Sequence, residues 1–184
     1  MKARLFFSLA GALALAACGD TDTEATDATP AAEDTLATPT ETATPAMTAQ
    51  AFADAVAASD MYEIEAGRLA QDMGTSEEVR DFGAMMVEDH TTSTARLRAA
   101  AAEVTGVTVN PQMTSVQQSN LEALRNAGDM FDSVYAQQQV AAHETALQFL
   151  RDYAVNGDSA PLRTFAGDTA TAVEGHLASA RELP

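Results

Sequence analysis

From residue 48 to the end of the chain, apolar side chains return at three- and four-residue intervals, the spacing of one helical face. Phe52, Val56, Ser59, Glu63, Ala66, Ala70 and Met73 mark a first helix, with Thr48 as its N-cap and Gly74 as its stop. Thr75-Ser76-Glu77-Glu78 reads as a capping box that opens a second helix. Its stripe is Val79, Phe82, Met86, His90, Ser93, Leu97, Ala100 and Val104, and Gly106 is its expected end. A third long helix carries Phe131, Tyr135, Gln139, His143, Leu147, Leu150 and Ala154 up to Asn156-Gly157. Asp158-Ser159-Ala160-Pro161 then starts a fourth, with Leu162, Phe165, Thr169, Val173, His176 and Ala180 on its stripe.

Helices two and three are joined by a long connector, roughly Gly106 to Gly128, broken at Pro111. A second capping-box pattern within it, Thr114-Ser115-Val116-Gln117, predicts a short helix through Leu121 and Leu124. No run of four or more residues alternates as a strand requires. The pattern therefore predicts an all-α fold, a four-helix bundle with a short extra helix between helices two and three. The connector is long enough to run back along a bundle, so a ferritin-like crossover competes with a plain up-and-down order.

Before residue 47 the pattern is different. Lys2 and Arg4 precede an apolar run from Leu5 to Leu15, too short to span a bilayer as a mature helix, and the run has the form of a signal peptide. Leu15-Ala16-Ala17-Cys18 resembles the bacterial lipobox, in which the cysteine is acylated and becomes the first residue after cleavage. The alternative is an ordinary signal peptide with an incidental cysteine. Cys18 is the sole cysteine, so no disulfide is available. Gly19 rather than Asp follows it, and the resemblance then implies an outer-membrane anchor in a cell that has an outer membrane. Thr, Ala, Asp, Glu and Pro make up residues 19–46, with Leu36 as the only large apolar side chain. Such a segment cannot bury enough surface to offset its ordering entropy, so a disordered tether is expected. The domain plan is thus a signal peptide over 1–17, a lipidated cysteine and acidic tether over 18–46, and the bundle over 47–184.

The formal net charge is −17; without Lys2 and Arg4 it is near −19, with eight basic residues against 27 acidic ones. That field repels nucleic acid and anionic head groups, so nucleic-acid binding is not expected. The expected partner is the membrane, through a lipid at Cys18; the sequence specifies no protein partner. No serine stands in a strained turn beside a histidine, and no glycine-rich phosphate loop occurs, so no catalytic residues are assigned.

The candidate chemistry lies in three histidines. His90, His143 and His176 fall on three different helices, each on the apolar stripe rather than the charged face. At a rise of 1.5 Å per residue, His90 and His143 each lie ~21 Å from the start of their helices, and Glu63 and His176 fall within about a turn of that level. A polar layer at mid-bundle follows, and it has two readings. One is a metal site in which the three imidazoles, with Glu63 or Asp89, hold a divalent transition metal such as zinc, copper or iron. The other is a hydrogen-bonded core layer that fixes helix register. The Glu-x-x-His pairs of di-iron bundles are absent. Of Glu63 and Glu65 only the first lies on the stripe, while Glu65 is placed to pair with Arg68 or Arg80. Met73, Met85, Met86 and Met130 are read as core filler, and Asp132 and Tyr135 as residues that bond across the core or cap and pack.

Several of these segments together resemble one bacterial envelope family. Tyr62-Glu63-Ile64-Glu65-Ala66-Gly67-Arg68-Leu69-Ala70 and Val79-Arg80-Asp81-Phe82-Gly83-Ala84-Met85-Met86-Val87-Glu88-Asp89-His90 look like its two opening helices. Phe131-Asp132-Ser133-Val134-Tyr135, His143-Glu144 and His176-Leu177 resemble its third and fourth. The family is the ferritin-like "domain of unknown function 4142", and the resemblance spans about Ala51 to Ala180. It implies a ferritin-like bundle exported to the envelope and no particular reaction. Gly83 stands where the family pattern suggests alanine, a departure expected to loosen helix two, and the usual proline before the last histidine is missing. The reading favoured by the whole sequence is a membrane-tethered, non-enzymatic accessory or interaction protein. The alternative is a metal-binding or metal-dependent redox protein that uses the mid-bundle layer.

Overall fold

A computed structural model describes residues 47–184. The expected signal peptide, Cys18 and the tether lie outside these residues. The chain forms α1 (Ala49–Met73), α2 (Glu77–Ala102), α3 (Ser115–Arg125), α4 (Phe131–Asn156) and α5 (Ala160–Ala180), with a 3-10 turn at Gly128–Met130 before α4. The fold is all-α, and the four long helices pack as a bundle with the short α3 between α2 and α4. Among the described residues, no helix is long and apolar enough to cross a membrane.

Side-chain caps set most of the helix starts. Thr48 accepts from Ala51 N at 3.2 Å. Thr114 and Gln117 form the full reciprocal box expected from their spacing, with Thr114 N donating to Gln117 Oε1 at 2.8 Å. The box expected at Thr75 does not form. Ser76 is the N-cap of α2 and accepts from Val79 N at 3.1 Å, while Thr75 is drawn away by Asp132 of α4. That carboxylate accepts from Thr75 N at 2.9 Å, Ser76 N at 2.8 Å and the Thr75 hydroxyl, satisfying donors that the start of α2 would otherwise leave open. Burial works against the Asp132 anion, but those hydrogen bonds and the nearby Arg80 charge dominate and hold its carboxyl below the usual range. Helix α2 also ends earlier than its stripe suggests, at Ala102. Val104 still packs against the core, and Gly106 takes a φ of 82° in the turn beyond.

These ties decide the topology. Gln50, at the start of α1, exchanges two 2.9 Å hydrogen bonds with the backbone of Thr108, just past the end of α2. Asp132, at the start of α4, sits on the α1–α2 turn. Phe52 stacks on Tyr153, near the end of α4, with ring centroids 3.8 Å apart. Helices α1 and α5 therefore run one way, α2 and α4 the other. The α2–α4 connector traverses the bundle, which is the single crossover of ferritin-like arrangements.

Two apolar clusters fill the interior. One gathers Phe52, Leu97, Leu150, Tyr153, Leu162 and Phe165. The other holds Tyr62, Phe82, Met86, Leu124, Phe131 and Tyr135. Of the four methionines expected as filler, Met86 is fully buried and Met85 packs at the edge of the second cluster. Met73 and Met130 are exposed, because each stands at a helix end where the bundle no longer covers it.

Gly83 does not loosen α2. A Cβ there would lie 2.7 Å from both Gly67 O and Ala70 Cβ, and one on Gly67 would lie 2.6 Å from Gly83 O. The two glycines let the backbones of α1 and α2 meet directly. Gly83→Ala should therefore destabilise the protein by about 1–3 kcal/mol in urea unfolding. The obstructing atoms belong to another helix, so overpacking outweighs a helix-propensity gain of about 1 kcal/mol. An increase in stability would show that the two helices separate at little cost.

Candidate metal centre

Between the two apolar clusters, all four long helices contribute polar side chains. Asp60 and Glu63 come from α1, His90 from α2, Gln139 and His143 from α4, and His176 from α5; all six are buried. One ring nitrogen from each histidine lies within 4.8 Å of one from each of the others. The ring centroids are 5.9 Å apart for His90–His143, 5.7 Å for His90–His176 and 5.5 Å for His143–His176.

Each imidazole is held by one nitrogen. His90 Nδ1 is 2.8 Å from Asp60 Oδ1, and Asp60 is fixed in turn by the Thr94 hydroxyl, which donates to Oδ2 at 3.0 Å. His143 Nδ1 donates to the Gln139 carbonyl, one turn back on α4, at 2.9 Å. His176 Nε2 pairs with Asp89 Oδ2 at 2.9 Å, across from α2 to α5. The remaining nitrogens, His90 Nε2, His143 Nε2 and His176 Nδ1, are buried and have no partner. A carbonyl only accepts, so His143 carries its neutral-state proton on Nδ1 and keeps a lone pair on Nε2. A carboxylate on His176 Nε2 leaves its Nδ1 lone pair free in the same way.

Electrostatics separate the three rings. Burial and the neighbouring His90 charge hold His143 down at about 3, so it is neutral at pH 7. Burial also lowers His176, more than Asp89 raises it. Burial disfavours a charge on His90 as well. There the Asp60 hydrogen bond and the charges of Glu63, Asp60 and Asp89 more than offset it, and the pKa is raised. Burial raises Glu63, with partial relief from the His90 charge and from Gln139 Nε2, which donates to Oε2 at 2.7 Å. Burial and the Glu63 charge also push the phenols of Tyr62 and Tyr135 up. The Tyr135 hydroxyl is buried without a partner, so Asp132 and Tyr135, read together in the sequence, do different work.

Of the five residues proposed from sequence as metal ligands, the structure brings the three histidines together. Neither Glu63 nor Asp89 has an oxygen within 4.8 Å of a ligand nitrogen on all three. Glu63 bonds Gln139, and the half-exposed Asp89 carboxylate orients His176. Glu65 pairs with Arg68 at 2.6 Å on the surface, while Arg80 donates to the Gly74 and Thr75 carbonyls. Sequence reasoning missed Asp60. Its signal was available, since Asp60 stands four residues after Val56 and three before Glu63, on the same stripe.

The three imidazoles meeting on the axis of a one-crossover bundle define a helical protein with a buried histidine centre. The chain belongs to the family described as Domain of unknown function (DUF4142), whose model matches residues 34–183. No curated protein and no solved structure matches it.

The two carboxylates that orient histidines should differ sharply in worth. Asp60→Ala strands His90 in the interior and should cost about 3 kcal/mol. Asp89→Ala removes a carboxylate 46% exposed and should cost less than about 1 kcal/mol. Urea unfolding followed by circular dichroism measures both, and equal losses would show that burial of the pair is not what matters.

Proposed function

We propose that this protein is a lipid-anchored cell-envelope bundle that holds a divalent transition metal on His90, His143 and His176. The single observation carrying the metal reading is the division of labour within each imidazole. One nitrogen is bonded to a carboxylate or carbonyl that orients the ring, while the other is buried and unpartnered beside two more histidines. Ligating histidines are held in that way, the outer hydrogen bond fixing the tautomer and aiming the lone pair. A purely structural layer would gain from pairing those nitrogens with each other's surroundings, because a buried unsatisfied polar atom costs about 1–3 kcal/mol.

The dimensions fit. Tetrahedral zinc with metal–nitrogen bonds of ~2.0–2.1 Å needs nitrogens ~3.3 Å apart, so nitrogens within 4.8 Å of one another close on an ion by moving about 1 Å each. Three imidazoles without a thiolate suit zinc, copper(II) or iron(II). Binding would displace the extra proton that Asp60 and Glu63 favour on His90, and those two carboxylates would then balance the ion's charge. Metal analysis of the full chain, purified without chelator or affinity tag, should give one equivalent. His143→Ala and His90→Ala should each weaken zinc binding by about a hundredfold or more. Sub-stoichiometric metal that these substitutions leave unchanged would overturn the reading.

The anchor rests on Lys2, Arg4, the apolar run Leu5–Leu15 and the lipobox-like Leu15-Ala16-Ala17-Cys18. In a bacterial host, metabolically supplied palmitate should label the protein through Cys18 and fractionate it with the outer membrane. Cys18→Ala should abolish both. Labelling that persists in the variant would remove the anchor from the proposal.

A further inference from the structure

The histidine layer borders a cavity on its His90 side. A cavity of about 640 Å³ opens between α1 and α4 and is lined by side chains from every helix, including His90 of α2 and Thr169 and Val173 of α5. A surface dent in the α1–α4 seam would not reach α2 and α5, so this cavity runs to the bundle axis. Its volume falls in the range of small-molecule sites, roughly 300–1,000 Å³.

The cavity exists because α3 covers only part of the seam. Leu121 and Leu124 of α3 join the cluster on the Phe82 side, while the start of α3 stands at the rim, with Val116 68% exposed. Beyond that cover the facing walls are short side chains: Ala58 and Ser59 on α1, Ala142 and Ala146 on α4. Phe149 and Leu150 add an apolar flank. Asp60, His90 and Thr169 line the buried inner part.

Among the described residues no lysine or arginine lines the cavity, and the one cationic candidate there, His90, is already engaged by Asp60. An anionic head would therefore enter an acidic chain, with net charge −17, and find no free cation.

We infer that this cavity is a binding site for an uncharged small molecule with a largely apolar body, seated among the short side chains of α1 and α4 and against Phe149. The inference stands on the cavity and does not require the metal. It is therefore tested on full chain stripped with EDTA, where loss of the metal reading leaves it intact. The neutral dye N-phenyl-1-naphthylamine is titrated by fluorescence, then displaced with 1-decanol or decanoate. Saturable binding to one site is expected, weakened about tenfold or more by Ala142→Leu and by Ser59→Leu, which fill the cavity from opposite walls. The second substitution gives the reading if the first fails to fold. Absence of saturable binding, or binding that both filling variants leave unchanged while folded by circular dichroism, would overturn the site. Displacement by decanoate as readily as by 1-decanol would overturn the uncharged class.

Discussion

Burying titratable groups at the centre of a small bundle is tolerable only if almost every one of them finds a partner, and that condition shapes this molecule. Asp60, Glu63, His90, Gln139, His143 and His176 interrupt what would otherwise be a continuous apolar core. Asp60 answers His90, the Gln139 side chain answers Glu63, and the Gln139 carbonyl answers His143. The first of these bonds runs from α1 to α2 and the second from α1 to α4, so a slip of α1 by a turn would break both at once. The layer thus fixes register. It leaves over Gln139 Oε1 and one buried nitrogen on each histidine, and the three nitrogens together are the feature that a register device alone does not need.

The same helices that present the layer are unevenly spaced. Gly67 and Gly83 bring the backbones of α1 and α2 into contact, whereas the small side chains of α1 and α4 face each other across a cavity. Small residues do opposite things at the two seams. Where two glycines oppose each other the helices close up, because no Cβ stands between the backbones. Between α1 and α4, Phe52, Phe149 and Tyr153 stack at one end, with Phe52 and Phe149 centroids 5.5 Å apart. Tyr62 reaches Gln138 beneath α3 further along. Large side chains at both ends keep α1 and α4 apart, and the alanines between them cannot span the gap. Openness toward the centre is therefore a consequence of how the aromatic residues are distributed along the seam.

The 3.6-residue period, the N-cap threonines and the position of the three histidines on apolar stripes together specify a helical bundle with a histidine layer near its middle. These are local properties, and local chemistry determines them: a stripe must be buried, and a threonine before a helix has backbone donors to satisfy. The partners of those histidines are another matter. Glu88 and Asp89 adjoin His90 in sequence, yet neighbouring residues on a helix point about 100° apart, so His90 turns inward to Asp60 while Asp89 reaches His176 on α5. Thr75 has the spacing of a capping box, but a carboxylate 57 residues away competes for it and wins with two hydrogen bonds to Thr75 and a third to Ser76. Gly83 reads as a weak point in a helix considered alone and becomes a contact point once Gly67 is opposite it. Crossover topology, the convergence of one nitrogen from each ring and the cavity beside them were settled only in three dimensions. Each depends on which helix faces which, and a one-helix periodicity carries no information about its neighbour.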